Sequence, residues 1–453
     1  MKSISFLALS GVVASAALLP RQSVNSTTTG AVNTTTCNGR TYVYNELAGY
    51  GYVPSDAYDK YGDTIGGIGS SIAIPRKSWT VSKKGVYTGT LYAIPDRGWN
   101  TQGTLNYQSR VQKFQISFTP QLTNNVSNPV TTNIDLLYQD TILFTDPKGN
   151  PTTGLDANDN GPYLVYKGFP ELPDATYTGN GFGGAGTGGT RVVNDNEGLV
   201  VANDGTFWVS DEYGPYIWQF SAKGKMLQAI MPPPAYIPMR NGSISFSADS
   251  PTEYSGLVRV ECYEHSNLFA NSLQTDDVNP ANPETGRDNN HGLEGLTIST
   301  DNKYLFALMQ AALVQDDGTS GSKETYTRML QYDISVGTPE LVAEYVVPLP
   351  SYIQATGKSH VAAQSEMHYI DGKQFLVLAR DSNAGRGQAS STSLYRHADV
   401  FDISTATNIL GKYDYYNAAV APGGVLAANL TAATYCSWLG MCNIARSSGL
   451  PLT

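Results

Sequence analysis

The sequence predicts an all-β chain folded as a β-propeller of about six blades, seven being possible, with long loops over one face. Two observations carry this. Helical periodicity is nearly absent, and short runs rich in Val, Ile, Tyr, Phe and Thr recur between Gly, Asn and Asp. The second is self-similarity, because one plan of strand, tight turn, strand and third strand returns along the chain. Regular short strands also suit a pair of β-sandwiches, the structural alternative.

The strands expected in order include Gly89–Ile94, Phe114–Phe118, Asp135–Phe144, Phe207–Ser210, Tyr304–Met309 and Phe375–Ala379. In the first clear repeat, Asn196-Glu197-Gly198-Leu199 leads through Asn203-Asp204-Gly205 to Phe207–Glu212 and then Tyr216–Phe220. In the second, Leu293-Glu294-Gly295-Leu296 leads through Asp301-Asn302 to Leu305–Gln310 and later Met329–Ile334. In the third, Ser365-Glu366-Met367 leads through Asp371-Gly372 to Phe375–Asp381 and then Val400–Ile403. A fainter copy joins Gly66-Gly67-Ile68 to Gly89–Arg97 and Val111–Phe118. The openers Glu197, Glu294 and Glu366 lie 97 and 72 residues apart, beyond the ~40–50 of compact propeller repeats. Degenerate blades or long loops must fill those intervals. Residues 231–291, rich in Pro and Asn, read as one excursion over a face.

In a propeller, the residue opening a blade's first strand meets the residue closing its second at one rim. The openers are Glu197, Glu294 and Glu366; the closers are Asp96, Glu212, Gln310 and Asp381, with Asp211, Arg97 and Arg380 one step away. Clustered carboxylates repel and raise one another's pKa unless neutralised. A hard divalent cation, Ca²⁺ outside the cell, is the expected remedy, with Glu197, Asp211, Glu212, Glu294 and Glu366 as candidate ligands. Arg97, Arg380, Arg386 and His291 could instead pair with the acids or bind an anionic substrate group. The plainer reading is that each Glu caps a blade by accepting backbone N–H bonds.

Charge and composition exclude other classes. With 29 Lys+Arg against 39 Asp+Glu, net charge −10, the chain is a poor partner for nucleic acid or an anionic membrane. With 41% hydrophobic residues it can bury a large core. The apolar run Ile4–Leu19 with Ala14-Ser15-Ala16 reads as a secretory leader over residues 1–17. A Ser/Thr-rich segment over 18–40, a propeller domain over 41–435 and a tail over 436–453 complete the expected organisation. Sequons at Asn25, Asn33, Asn125, Asn241 and Asn429 agree with export, so a soluble, secreted, monomeric protein is expected. Cys37, Cys262, Cys436 and Cys442 allow three pairings. Proximity favours Cys436 with Cys442 and Cys37 with Cys262; the alternative ties Cys37 to the tail.

Other motifs carry less. Gly181-x-Gly183-x-x-Gly186 matches a dinucleotide fingerprint but no helix follows it. Asp156-x-Asn158-x-Asn160-Gly161 copies half of a Ca²⁺ loop, yet Lys167 stands at the position of the bidentate Glu, so an Asx-rich turn is preferred. No G-x-S-x-G elbow and no H-E-x-x-H occurs.

Asn196–Leu199, Val209–Pro215, Asp288–Leu296 and Ala379-Arg380-Asp381, in that order, resemble the phytase-like family, also called "esterase-like activity of phytase". Pro95–Gly98 and Asp146–Gly149 resemble its N-terminal landmarks, and the likeness spans about residues 45–420. Departures are the Gly-rich stretch 179–189 and Met367 where a third E-G-L would place Gly. The resemblance implies a secreted propeller hydrolysing phosphoric or carboxylic esters of small molecules. On that footing Glu197, Asp211, Glu294, Glu366, Arg380 and Asp381 are the expected catalytic residues, and Asp96, Arg97, Glu212, His291 and Gln310 the substrate-binding ones. The rivals are a non-catalytic module binding a cell-wall saccharide or peptide through its Tyr side chains, and a lactonase-type propeller. The low Lys/Arg content sits awkwardly with phytate, a polyanion.

Overall fold

Alternating burial marks strands such as Asn33–Cys37 and Arg110–Phe118, whereas Phe207–Asp211 is buried throughout. In a computed structural model that describes residues 31–45, 47–98, 103–121, 132–250, 278–317, 322–382 and 392–440, no α-helix occurs among the described residues, only strands and short 3-10 turns. The leader, Asn25, Asn125, Cys262, Arg386 and Cys442 lie outside them.

Four antiparallel sheets run inner to outer in sequence order, each a blade. Blade one uses Ser71–Ala73, Tyr87–Ile94, Arg110–Phe118 and Ile134–Leu143, with Thr80–Val81 added against its second strand. Blade two uses Asn196–Val201, Phe207–Asp211, Ile217–Phe220 and Met226–Ile230. Blade three uses Leu293–Ile298, Tyr304–Met309, Tyr326–Asp333 and Glu340–Pro348. Blade four uses Ala363–Asp371, Gln374–Arg380, Arg396–Asp402 and Thr434–Gly440. The inner strands pack one on the next, from blade one to two, two to three and three to four. A hydrogen bond between Ser71 and the Glu366 carboxyl joins blade four back to blade one. The arrangement is propeller-like and all-β, as the repeats predict.

The expected count of about six is not met, since the described residues form four blades. Short two-stranded hairpins and loops lie between the blades instead, among them Asp174–Tyr177 with Gly189–Val192 before blade two and Met239–Arg240 with Ser243–Ile244 before blade three. Buried arginines hold the excursion down. Arg240 donates to the carbonyls of Ser245, Ser247, Pro280 and Ala281, and Arg287 to those of Tyr213, Phe246 and Ser247. Asp156 accepts from Ala248 N and Ser250 N, both at 2.8 Å, and from Ser247 Oγ, so it anchors a turn.

Apolar faces of adjacent blades form the core. Phe144, Phe207, Trp218 and Phe220 fill the cluster between blades one and two, Trp208 and Leu305 that between two and three, and Phe306 and Phe375 that between three and four. A Cβ added to Gly198 would lie 2.4 Å from Leu296 Cβ, and one on Gly295 2.8 Å from Met367 Cβ. The glycine of E-G-L is therefore an inter-blade residue, needed because the next inner strand passes too close for a side chain.

An N-terminal hairpin, Asn33–Cys37 with Arg40–Tyr44, packs on blade four. The disulfide Cys37–Cys436 fastens it there, correcting the preferred pairing of Cys37 with Cys262 and matching the alternative that ties Cys37 to the tail. Sequence proximity misled because Cys436 sits inside the outer strand Thr434–Gly440, which runs through the expected boundary at 435/436. Of the described sequons, Asn33 Nδ2 donates to Trp438 O, Asn241 Nδ2 donates to Asn279 O at 2.7 Å, and Asn429 is exposed.

Candidate functional site

Each of blades two to four has a register shift where its inner strand begins, between Asn196 and Leu199, Leu293 and Gly295, and Gln364 and Glu366. A bulge re-aims the residue it contains. In blades two and three that stretch contains Glu197 and Glu294; in blade four it contains Ser365. The cross-strand partners agree: Gly295 pairs with Leu308 and Glu366 with Leu378, so Glu366 occupies the glycine position of its repeat. By the same register Arg380, not Asp381, is the counterpart of Gln310 and Glu212.

That one-residue slip explains where the expected acids go. Glu366 points at the seam with blade one, bonding Ser71, Leu296 N–H and its neighbour Met367 N–H (2.8 Å to Oε1). Burial pushes its pKa up to about 8. Asp381 tethers a loop: its Oδ2 accepts from Tyr395 N at 2.8 Å and from Leu394 N. Asp211 is fully buried and accepts from Tyr213 N (2.7 Å), Asp195 N (3.2 Å) and Trp218 Nε1 (2.7 Å), which makes it the post on which the Glu212 turn hangs.

What converges is Asp195, Glu197 and Glu212, whose ligand atoms all lie within 4.8 Å of one another, all three buried. Glu197 and Glu212 were expected here; Asp195 was not. Its signal was available, since it is a further carboxylate only two residues before Glu197. Asp211, Glu294 and Glu366, the other expected ligands, are not in this group. Glu294 adjoins it, hydrogen-bonded to Glu197 and accepting from Gln310 Nε2, with Arg380 at 3.7 Å. Asp96 lies close enough for the charge of Asp195 to add to burial in raising its pKa.

Electrostatics follow from depth. Burial first, then mutual repulsion, pushes Glu197 and Glu212 well above the usual carboxylate range. Burial also takes Glu294 and Asp96 to about 7, Arg380 and Gln310 opposing it at Glu294. Two carboxyl–carboxyl contacts, Asp195 with Glu212 and Glu197 with Glu294, need a shared proton or a cation to be stable. The cations present are guanidinium groups. Arg97, 6% exposed, lies 3.8 Å from Asp195, donates to the Tyr213 hydroxyl, and through its backbone N–H reaches Asp195 Oδ1 at 2.9 Å. Arg97 is thus a buried partner of the acids, whereas Arg380 and His291 have half-exposed side chains. His291 sits 3.7 Å from Asp288, and the next residue, Gly292, lies against the Glu212 backbone.

The donor set suits a hard cation. It is all oxygen, and Glu212 Oε1 and Gln310 Oε1 are buried with no hydrogen-bond partner among the described residues. A buried acceptor left so costs about 1–3 kcal/mol, which an ion or a proton donor would relieve.

Residues 82–429 match the sequence profile of the family described as "Phytase-like: Esterase-like activity of phytase". A relative from Arthroderma benhamiae, called an uncharacterized secreted protein, is 49% identical over 445 residues, 96% of this chain and 83% of the relative. Among solved structures, the hydrazine synthase of Kuenenia stuttgartiensis aligns with 84% of this chain and 66% of its own at 10% identity and a TM-score of 0.23. The PQQ-bound aldose sugar dehydrogenase of Streptomyces coelicolor aligns with 80% of this chain and 90% of its own, at 10% identity and a TM-score of 0.21. Scores so low carry no argument about either protein's chemistry.

Proposed function

The chain belongs to the phytase-like family, and from that premise we propose that it is a secreted hydrolase of phosphoric or carboxylic esters, working with a calcium ion held by Asp195, Glu197 and Glu212. One observation carries the reading: three buried carboxylates from one strand entry and the following turn, placed within 4.8 Å of one another. Export is supported by the name of the 49% identical relative, by the leader, and by the disulfide Cys37–Cys436.

Calcium bound there would polarise an ester oxygen and lower the pKa of a bound water. The chain's own residues prepare the place. Arg97, buried 3.8 Å from Asp195, offsets its charge, so three acids and one dication do not leave a large excess of negative charge. Gln310 and Arg380 hold the Glu294 carboxyl beside Glu197. Asp211, through Asp195 N and Tyr213 N, sets the turn that carries Glu212. Arg380, 3.7 Å from Glu294, and His291, 3.7 Å from Asp288, have half-exposed side chains and are the groups available to an incoming ester.

The test measures release of phosphate from phytate and of p-nitrophenol from p-nitrophenyl acetate and phosphate, with EDTA and with calcium restored. Calcium-dependent turnover of any of these is expected, with about one calcium per chain by metal analysis. Turnover of none, or turnover indifferent to EDTA, overturns the reading.

A further inference from the structure

The acid cage lies where inner strands begin and second strands end. The other end of blades three and four is built differently. There Leu293–Ile298 runs into the turn Ser299-Thr300-Asp301, and Ala363–Asp371 into Gly372-Lys373, before Tyr304–Met309 and Gln374–Arg380 return. A six-residue inner strand rising ~3.3 Å per residue sets the two ends about 20 Å apart. Between these turns opens a cavity of about 320 Å³, bounded by residues of both blades.

Register supplies its walls. Phe306 stands directly opposite Gln331 and two residues from Tyr304, so all three leave blade three on one face. Phe306 stacks on Tyr369 of blade four, with ring centroids 5.7 Å apart, and both line the cavity. The walls are fixed before any ligand arrives. Lys303 Nζ lies 4.9 Å from the Tyr304 ring centroid and 3.6 Å from Asp333 Oδ2. Ser299 Oγ donates to Asp301 and accepts from Tyr304 N at 2.9 Å. Polar groups are left over: among the described residues the Gln331 amide and Thr300 hydroxyl have no hydrogen-bond partner, and Lys373 Nζ has no carboxylate partner. Asp301 and Lys373 are the only charged lining residues, and their charges cancel.

We propose that this cavity binds a neutral saccharide, between blades three and four and at the end of the blades remote from the acids. Aromatic walls suit the C–H face of a pyranose, while the amide, hydroxyl, ammonium and carboxylate suit its hydroxyl groups, which both donate and accept. A charged ligand would meet a like charge at Asp301 or Lys373, and a flat hydrocarbon would cover Gln331 and Thr300 without bonding them. The volume is at the lower limit for small-molecule sites, which sets the occupant at one or two sugar rings. The site does not depend on the hydrolase reading: a chain held on a polysaccharide by this end keeps its acid rim free.

Binding, not turnover, tests it. Cellobiose, laminaribiose, mannobiose and N,N′-diacetylchitobiose are titrated into the wild-type chain, Q331A, Y304A and Y304F by ligand-observed NMR, with melting temperatures confirming that each variant is folded. At least one disaccharide is expected to bind wild type with a Kd of about 1 mM. Q331A should bind it about tenfold more weakly, Y304A at least as weakly, and Y304F, which keeps the ring, close to wild type. Gln331 is half-buried, so Q331A decides the matter if Y304A does not fold. No binding of any of the four sugars, or unchanged affinity in folded Q331A, overturns the site. Binding of p-nitrophenol or benzoate in place of every sugar overturns it equally, in favour of an aromatic occupant.

Discussion

Blades two and four are built to one plan and present opposite chemistry at the same rim. Blade two offers Asp195, Glu197 and Glu212; blade four offers Ser365, Arg380 and Arg396 at and beside the corresponding positions. Blade two keeps its glycine, so blade three can press against it, whereas blade four puts Glu366 there and bonds across to Ser71. A repeated backbone thus fixes where side chains meet, while single substitutions and a one-residue bulge decide whether that place gathers acids, presents an arginine, or seals a seam.

The sharpest attack on this contrast is at the acid side. Glu212→Gln should abolish the calcium-induced rise in melting temperature and lower kcat/KM by at least about a hundredfold, while the metal-free protein melts no lower than wild type because a buried repulsion has been removed. Calorimetry and kinetics on the same preparation read both halves. Retained calcium binding would falsify the ligand assignment.

Next in size is the covalent tie on blade four. Replacing both Cys37 and Cys436 with Ser should cost about 2–5 kcal/mol, read from denaturant midpoints, with blade two's calcium affinity unchanged. A coupled loss of calcium affinity would show that the two blades are not independent.

Gly198→Ala probes the tight seam. The added methyl meets Leu296 Cβ at 2.4 Å, so a loss of about 1–3 kcal/mol is expected. An unchanged melting temperature would mean that the seam relaxes freely.

The last effect, absent in acid and present only as pH rises, belongs to Glu366. Its carboxyl is held above its unfolded pKa, so the stability it contributes is complete below about 4.5 and is lost as pH rises toward about 8. Glu366→Gln, measured with calcium saturating, should therefore melt like wild type at pH 5 and above it at pH 9. A difference that does not vary with pH would place this titration elsewhere.

Much of the fold was legible in the residues. Alternation and D-G-like turns located the second strands to within a residue or two, as at Tyr304–Met309 and Phe207–Asp211, because hairpins are local. Blade number was not legible, since intervals held by Arg240 and Arg287 through backbone carbonyls leave no periodic trace. The rim was half legible: the motif found Glu197, Glu212 and Glu294, but aligned Glu366 with them. Only pairing shows that the bulge shifts blade four by one. Asp195 was missed because it precedes the repeated motif.

The hairpin and its disulfide bring the beginning and end of the described chain together on blade four. A protease cutting an exposed loop anywhere between Cys37 and Cys436 would leave two pieces still linked. Such a nicked molecule would run as one band on a non-reducing gel and as two after reduction. For a chain exposed to proteases, that makes the first cut survivable.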